Sequence, residues 1–374
     1  MTTLAVKNLF HDKVRLSVTL TGVIFALVLI AVQFGLFLGF METSANIVTR
    51  SGVDLWVTAP GLPHVNGGSA QPERRRYKVL AVPGVAQAEP YVLAFANWKL
   101  PSGAKESVQV VGFDLDSGLG GPSRMVAGSV DDLRGDDTVL IDEHYRKKLG
   151  VTALGQTGEI NGVRARVVGY TQGLLSFTTA PYVFTSLKHG QKYMALPETQ
   201  AIFIVVKLAG GADPQQVKAA IKTQIPDSAV YTNHEMAAKT QNYWLFSTGA
   251  GITTLMGAAL GLLVGMVVVA QTLYAATVDH IREFGTLKAM GAANRYIYRV
   301  IVEQAVLSAT MGYAVAIAVA LTVVNVSRKG DALILLPMPV ALGLFAMAVL
   351  MCIGASVISI RKATSIDPAI VFRA

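Results

Sequence analysis

Four long segments of the sequence contain no charged residue, and they restrict the fold more than any other feature. These segments are residues 16–41, 240–278, 304–327 and 332–360. Each exceeds the ~18–20 apolar residues that a helix needs to cross a hydrocarbon core of ~30 Å. Charged residues make up only 15% of the chain, against ~25% in soluble globular proteins. We therefore predict four transmembrane helices, which excludes a wholly soluble or disordered protein.

Positively charged residues beside these segments predict the orientation of the chain in the membrane. Lys and Arg residues lie before the first segment, between the second and third, and after the fourth, as Lys7, Lys13, Arg15, Arg282, Lys288, Arg295, Arg299, Arg361, Lys362 and Arg373. The positive-inside rule places both termini and the 279–299 loop in the cytoplasm and the long segment 42–244 outside. Most of the net charge of +8 follows from this topology, so we predict no nucleic-acid partner.

The charged and uncharged stretches divide the chain into consecutive parts. They are a cytoplasmic interfacial helix (1–15), transmembrane helix 1 (16–41), an extracytoplasmic domain with stalk (42–244), transmembrane helix 2 with stalk (245–278), a cytoplasmic loop (279–299), transmembrane helix 3 (300–327), a short outside loop (328–334), transmembrane helix 4 (335–360) and a cytoplasmic tail (361–374). The predicted fold class is an α-helical membrane protein with four transmembrane helices plus an α+β extracytoplasmic domain inserted between the first and second. The second uncharged segment would reach ~58 Å as one helix, so we expect it to continue beyond the membrane as a stalk.

Local patterns within 42–244 predict mixed secondary structure. Runs rich in β-branched residues predict strands at 107–112, 163–170 and 201–208. A helix is predicted over 214–225, with Asp213 as its N-cap. A second, short helix is predicted over 142–149. The Gly-, Pro- and Arg-rich stretch 61–76 predicts a mobile loop whose arginines face solvent.

The sequence contains none of the common catalytic motifs. The P-loop pattern G-x-x-x-x-G-K-[ST], the nucleophile elbow G-x-S-x-G and the zinc motif H-E-x-x-H are all missing. The six histidines are dispersed without metal-ligand spacing. The acidic pairs at 131–132 and 136–137 indicate solvated turns, with a cation site as the alternative. The single cysteine, Cys352, indicates a small buried hydrophobic residue. We predict no catalytic residue, no metal site and no cofactor bound by this chain.

Small residues repeat every fourth position on the second uncharged segment. They are Gly257, Gly261 and Gly265. Such a ridge lets the backbones of two membrane helices approach closely. Two interpretations remain open: packing within one subunit, and the seam of a homodimer.

The loop 279–299 reads DHIREFGTLKAMGAANRYIYR. Its pattern E-x-G-x-x-K-A-x-G-A resembles the coupling-loop signature of MacB/FtsX-like (type VII) ABC transporter permeases, carried by Glu283, Phe284, Gly285, Lys288, Ala289, Gly291 and Ala292. The tail around Asp367-Pro368 and the sequences VLIDEHYRKKLGV and INGVRARVVGY also resemble this family, although Gly155-Gln156 departs from its usual Gly-Asp. Residues 8–40 are most similar to the DevC/HrtB-type branch, which includes glycolipid and haem exporters.

The resemblance implies a homodimeric permease in the bacterial inner membrane that recruits an ABC ATPase subunit through the coupling loop. ATP and Mg would be bound by that ATPase, and the second-segment stalk would carry its motion outward by mechanotransmission. A periplasmic adaptor and an outer-membrane channel are further implied partners. The implied substrate is an amphipathic lipid, glycolipid or haem-like molecule. Residues Met41, Glu42 and Tyr243 would line its mouth, and Met41 and Glu42 are chemically able to ligate haem iron.

Two other function classes remain open at this stage. A non-transporting regulator would relay ATP hydrolysis to an extracytoplasmic enzyme such as a cell-wall hydrolase. A membrane enzyme or receptor would use the domain 42–244 by itself, which the lack of catalytic constellations disfavours.

Overall fold

The computed structural model describes residues 10, 13–279, 286, 290, 293–328, 330 and 332–364. These residues fall into two compact units. The membrane unit comprises the described residues of 1–39 and 251–374, and the second unit is Phe40–Ala250. Most of the predicted interfacial helix 1–15 and the last ten residues of the predicted tail lie outside the described residues.

The helices confirm the four apolar spans predicted from the sequence. The α-helices in the described residues are α1 (Lys13–Thr49), α2 (Arg75–Leu80), α3 (Leu187–Tyr193), α4 (Pro214–Gln224), α5 (Asn233–Asn242), α6 (Ala250–Asp279), α7 (Asn294–Ser327) and α8 (Met338–Thr364). By length and composition, α1, α6, α7 and α8 can each cross a membrane. Since soluble helices average only ~11–12 residues, helices of this length and hydropathy identify a membrane-embedded unit.

The membrane unit is held together by small side chains at the crossings of its helices. Ala26 and Leu27 of α1 are buried with Val269 of α6, Ala309 of α7 and Cys352 of α8. Alanine and cysteine at these positions let the helix backbones approach closely, as is typical of membrane helix packing. Cys352 is fully buried in this cluster, which confirms its prediction as a small buried hydrophobic residue.

The second unit, Phe40–Ala250, is built on a mixed β-sheet. Its strands are β1 (Leu55–Thr58), β2 (Gln71–Pro72), β3 (Val85–Lys99), β4 (Lys105–Phe113), β5 (Met125–Ala127), β6 (Thr138–Asp142), β7 (Thr157–Ile160), β8 (Val163–Thr171), β9 (Tyr182–Ser186), β10 (Gln200–Ala201), β11 (Phe203–Leu208) and β12 (Ala229–Thr232). The main sheet has the order β12-β1-β11-β3-β4-β9-β6-β8-β5, with β7 beside β3 and β8, whereas β2 and β10 pair separately. Only β4–β9 and β6–β8 are parallel pairs among these strands.

Several local predictions for this unit are confirmed. The strands predicted at 107–112 and 163–170 lie inside β4 and β8, and most of the stretch 201–208 forms β11. Helix α4 begins at Pro214, and the side chain of Asp213 accepts the backbone N–H of Gln215 at 3.0 Å. The cap forms because the carboxylate satisfies an amide that the first helical turn leaves unpaired.

Two local predictions are wrong. The stretch 61–76 is not a mobile loop, since it contains a short 3-10 helix (Val65–Gly67) with Val65 fully buried, strand β2 and the start of α2. Its Arg75 pairs with Asp227 instead of facing solvent. The predicted helix over 142–149 is only a 3-10 turn at Glu143–Tyr145. Side-chain contacts from distant parts of the chain fix both segments, and local patterns do not report these contacts.

The stretch expected to extend the second span outward as a stalk is interrupted, whereas α6 continues inward past Gln271 to Asp279. Helix α5 is followed by a π-helical turn at Tyr243–Ser247, and Gly249 has a φ of +73° before α6 begins. A left-handed residue ends a right-handed helical path, and glycine adopts this conformation without steric cost. Helix α1 is instead uninterrupted over 37 residues, or ~55 Å at 1.5 Å per residue.

Candidate functional site

The residues predicted to line a substrate mouth lie in the second unit. They are Met41, Glu42 and Tyr243. The carbonyl oxygen of Met41 accepts a hydrogen bond of 2.9 Å from the amide of Gln241, two positions before Tyr243. The carboxylate of Glu42 pairs with Arg50 at 3.1 Å. The Tyr243 ring stacks on His64, with centroids 4.3 Å apart and planes tilted by 30°. The structure therefore brings the part of α1 around Met41 close to the Tyr243 turn.

Five rings form a continuous cluster at this place, which we call the aromatic cluster. They belong to Phe40, His64, Phe177, Tyr243 and Trp244. Phe177 lies between Phe40 and Trp244, with centroid distances of 4.6 and 4.8 Å and steep interplanar angles. Trp244 also contacts His64 at 5.2 Å. Edge-on aromatic contacts of this kind add ~0.5–1.5 kcal/mol of stabilisation beyond that from the buried area. Tyr243 and Trp244 lie in a π-helical turn, and such turns are frequent at functional sites.

His64 is the titratable member of the aromatic cluster. Its Nδ1 accepts the backbone N–H of Asn66 at 3.3 Å. Burial lowers the pKa of the imidazole below its usual value, because desolvation disfavours the charged form. The ring is therefore neutral near pH 7, and the aromatic cluster presents an uncharged surface.

The membrane unit contains an apolar groove of about 460 Å³ between α1, α6 and α8. All its lining side chains are apolar, and among them are Ile30, Phe34, Ala258, Ala259, Gly343 and Met347. A Cβ atom placed on Gly343 would meet no atom within 4 Å. The groove therefore has room for hydrocarbon, which is the solvent that surrounds membrane-spanning helices.

The glycine ridge of the second span packs within the chain. Its members are Gly257, Gly261 and Gly265. A Cβ atom built on each would lie 2.7, 3.1 and 2.2 Å, respectively, from side-chain atoms of Gln33, Leu29 and Ala26 on α1. These separations are shorter than ordinary van der Waals contact. The ridge thus lets α1 and α6 of the same chain approach closely, which is the first of its two interpretations.

The acidic pairs take structural roles. Asp131 and Asp132 lie in the first turn of a 3-10 helix, and Asp132 completes a capping box there. Asp137 pairs with Lys192 at 2.8 Å, and this hydrogen bond lowers the pKa of the Asp137 carboxyl. Within the described ranges, no group of three or more His, Cys, Asp or Glu could hold a metal ion.

The predicted coupling residues lie outside the described residues. They are Glu283, Phe284, Gly285, Lys288, Gly291 and Ala292. Their role stays a prediction from the resemblance.

Of the five rings in the aromatic cluster, only Tyr243 is singled out from the sequence, and two of the others come from parts of the chain far from it. Phe177 lies in the loop between β8 and β9, and His64 lies in the stretch interpreted as a mobile loop. Neither residue belongs to a periodic pattern or a motif. Their roles arise from contacts with α1 and the π-helical turn, far away in the sequence.

Two protein-family models match the chain. The model of the MacB-like periplasmic core domain matches residues 16–224, which is more than half of the chain. The model of the FtsX-like permease C-terminal region matches residues 255–368. Two ABC transporter permeases from strains of Mycobacterium tuberculosis are 24% identical over 373 residues, covering 98% of this chain and 98% of each relative.

Solved structures give a weaker likeness. The periplasmic region of MacB from Actinobacillus actinomycetemcomitans has a TM-score of 0.37 and 12% identity, and the match covers 52% of this chain and 96% of that one. The extracellular domain of the ABC-type transporter YknZ from Gram-positive bacteria has a TM-score of 0.36 and 11% identity, with coverage of 48% and 98%. Both TM-scores are below 0.5, so the match to a family rests on the family models.

Proposed function

Because this chain belongs to the MacB-like, FtsX-like family of ABC transporter permeases, we propose that it couples ATP hydrolysis by a separate ATPase subunit to export of an amphipathic substrate. The observation that carries the proposal is that two family models match successive parts of one multi-pass membrane protein. In this proposal the chain itself is not an enzyme. ATP and Mg are bound by the partner.

The charge distribution supports the proposed topology. Lys and Arg residues lie before the first span, in the 279–299 loop between the second and third spans, and after the fourth span. In this proposal those ends lie in the cytoplasm of a bacterial cell and the Phe40–Ala250 unit lies outside, as the positive-inside rule predicts. A cytoplasmic 279–299 loop can dock on an ATPase through Glu283, Phe284, Gly285, Lys288, Gly291 and Ala292.

Mechanotransmission runs along α1 in this proposal. The chain is interrupted between α5 and α6, so these two helices do not form one continuous rod. Helix α1 is continuous from Lys13 to Thr49. Because backbone hydrogen bonds within a helix persist along its length, a displacement at one end of α1 reaches the other.

The substrate is amphipathic in this proposal because the chain offers two apolar surfaces. The groove beside Gly343 has room for a hydrocarbon chain. The aromatic cluster offers ring faces and polar tips, which suit a molecule with both an apolar and a polar part. A lipid, a glycolipid and haem all meet this description, and haem would have Met41 and Glu42 within the predicted mouth.

Dimerisation is proposed through the exposed, outward face of α6, which carries Met256, Leu260 and Leu263. The predicted seam at Gly257, Gly261 and Gly265 faces α1. Away from this ridge, Met256, Leu260 and Leu263 are each 59% exposed. Their spacing of four and three residues places them on one helical face, where a second copy can pack.

Affinity purification of the tagged full chain from its host tests the proposed function. We expect an ATPase subunit to co-purify, and ATP hydrolysis by the complex in proteoliposomes to rise when a lipid or haem is added. A periplasmic adaptor or an outer-membrane channel in the same preparation would extend the path outward. An ATPase accompanied by a cell-wall hydrolase, without stimulation by any amphipathic compound, would favour the regulator instead. Purification without any ATPase would overturn the proposal.

A further inference from the structure

The loop 172–181 occupies a special place in the sheet of the second unit. It connects β8 to β9, and these two strands flank β6 on either side. The loop therefore passes across the end of β6, where Asp142 is the last residue. Phe177 of the aromatic cluster is carried by this loop.

Polar groups of the sheet hold one side of the loop 172–181. The carboxylate of Asp142 accepts the backbone N–H of Leu174 at 3.2 Å. The side chain of Gln109 on β4 donates to the hydroxyl of Ser176 at 2.7 Å. The hydroxyl of Tyr145 accepts the N–H of Ser176 at 3.1 Å. Asp142 and Gln109 are almost fully buried, so breaking these bonds would leave desolvated polar groups unpaired.

The end of helix α1 and Arg50, the residue that follows it, hold the other side of the same loop. The buried amide of Asn46 donates to the carbonyl oxygen of Leu175. Arg50 donates to the carbonyl oxygen of Gly173 at 2.5 Å. The backbone amides of Leu174 and Ser176 thus bond to Asp142 and Tyr145. The carbonyl oxygens of Gly173 and Leu175 bond to Arg50 and Asn46. Consecutive peptide groups connect the two sets of bonds, and planar peptide groups cannot stretch.

The loop is also fixed in a strained conformation. Thr179 has a φ of +56°, which is a true outlier for a β-branched residue. The ammonium group of Lys148 donates to the carbonyl oxygen and the hydroxyl of Thr179, at 2.6 and 2.9 Å. Such backbone strain persists only where the surrounding contacts over-determine it. The loop therefore behaves as a rigid connection and not as a flexible tether.

We propose that the loop 172–181 is the element that transmits displacement of the end of α1 to the central sheet. Asn46 on α1 and Arg50 directly after it are its attachment points on one side, and Asp142 and Gln109 are those on the sheet. The inference rests on the proposed function, because it supplies the step between a moving helix and the outer unit. It also makes Asn46 a positioning residue that touches no substrate.

Amide hydrogen exchange of the full chain in nanodiscs tests this link without any ATPase. Asn46→Leu removes the donor to Leu175 and keeps the side-chain volume. Gln191→Leu is the matched control, since its buried amide donates to the carbonyls of Glu198 and Gln200, away from α1. We expect Asn46→Leu to speed exchange about fivefold, the change that loss of one hydrogen bond gives, in both the loop and strand β6. Acceleration confined to the loop would overturn the inference.

A second measurement uses the complex with its ATPase. We expect nucleotide binding to change exchange in the loop and in β6 of the wild-type chain, and of Gln191→Leu. Asn46→Leu should lose this change while it still hydrolyses ATP. An unaltered response in Asn46→Leu, or no response in a wild-type complex that transports, would overturn the inference. Failure of the wild-type chain to bind any ATPase would instead overturn the proposed function, and the first measurement would still decide the link.

Discussion

Phe177 packs edge-on against Trp244, with the two ring centroids 4.8 Å apart. Phe177 also contacts Phe40, so one side chain joins the two segments through which the chain enters and leaves the Phe40–Ala250 unit. In this chain, any change in the separation of those two segments would alter the ring contacts of the aromatic cluster. The contacts of its members therefore suit experiments on both stability and function.

The aromatic cluster makes the stability of the Phe40–Ala250 unit depend on pH through His64. Burial lowers the pKa of His64 from its usual 6.5. A base with a lowered folded pKa contributes stability above about pH 6.5, and this contribution is lost as pH falls toward the folded pKa, because the unfolded chain binds the proton first. We expect the thermal unfolding temperature of the unit to decrease as pH falls below about 6.5.

The measurement for His64 is a pH series of thermal unfolding followed by tryptophan fluorescence. His64→Gln cannot take up a proton, so it should reduce the pH dependence over this range. The remaining part is expected from His189, whose pKa burial also lowers. His234→Gln is the control, because His234 is exposed in the same unit. An equal pH dependence in the wild-type chain and in His64→Gln would contradict the prediction.

The contact between α1 and α6 predicts that a larger residue on one helix can be compensated by a smaller residue on the other helix of the same chain. A Cβ on Gly265 would lie 2.2 Å from the Cβ of Ala26, and overpacking of this kind costs ~1–3 kcal/mol. We expect Gly265→Ala to lower thermal stability in detergent and Ala26→Gly in the same chain to restore it. Gly354→Ala is the control, since a Cβ there meets no atom within 4 Å. Restoration only when the two changes are on different copies would show an intermolecular contact.

Neighbouring positions on α6 predict different cross-linking behaviour. Leu260 is 59% exposed, whereas Gly261 faces α1. In a chain whose only native cysteine has been replaced by Cys352→Ala, we expect Leu260→Cys to form a disulfide-linked dimer in membranes. Gly261→Cys should stay monomeric because its side chain cannot reach a second copy. Equal dimer yields for the two variants would argue against a dimer seam on the outward face.

If the apolar groove binds substrate, a side chain that fills it should reduce the stimulation of ATP hydrolysis by that substrate. Gly343→Leu would occupy part of the 460 Å³, and Gly354→Leu adds the same side chain to the same helix outside the groove. We expect Gly343→Leu to reduce stimulation of ATP hydrolysis by an acyl lipid about tenfold, which corresponds to ~1.4 kcal/mol of lost binding. Both variants should insert into the membrane. Wild-type stimulation in Gly343→Leu would remove the groove from the substrate path.

The sequence predicts the architecture because its signals are local. Charge-free segments identify α1, α6, α7 and α8, since each charge at the centre of a membrane costs ~2.5–3.5 kcal/mol. The helix start at Asp213 and Pro214 is likewise a local pattern. Gly249 has no such signal, because a single glycine within an apolar run is compatible with a continuous helix. Only the structure shows that it takes a positive φ and interrupts the second span.

The parts of the candidate site that the sequence does not predict depend on long-range contacts. Arg75 pairs with Asp227, 152 positions away, which a local reading takes for a solvated charge. Asn46 reaches the loop 172–181 across 129 positions. No period or motif connects such residues, because the sheet order that brings them together is set by the tertiary fold.

ATP hydrolysis and transport by a reconstituted complex, compared between the wild-type chain and Glu283→Lys, test the central claim of coupling most directly. Reversal of one interfacial charge costs several kcal/mol, so we expect affinity for the ATPase to fall on the order of 100-fold. Substrate export should be lost, with membrane insertion intact. Gly285→Leu should act in the same direction, whereas Gly354→Leu should behave as the wild-type chain. Unchanged ATPase binding and export in both Glu283→Lys and Gly285→Leu would contradict the account.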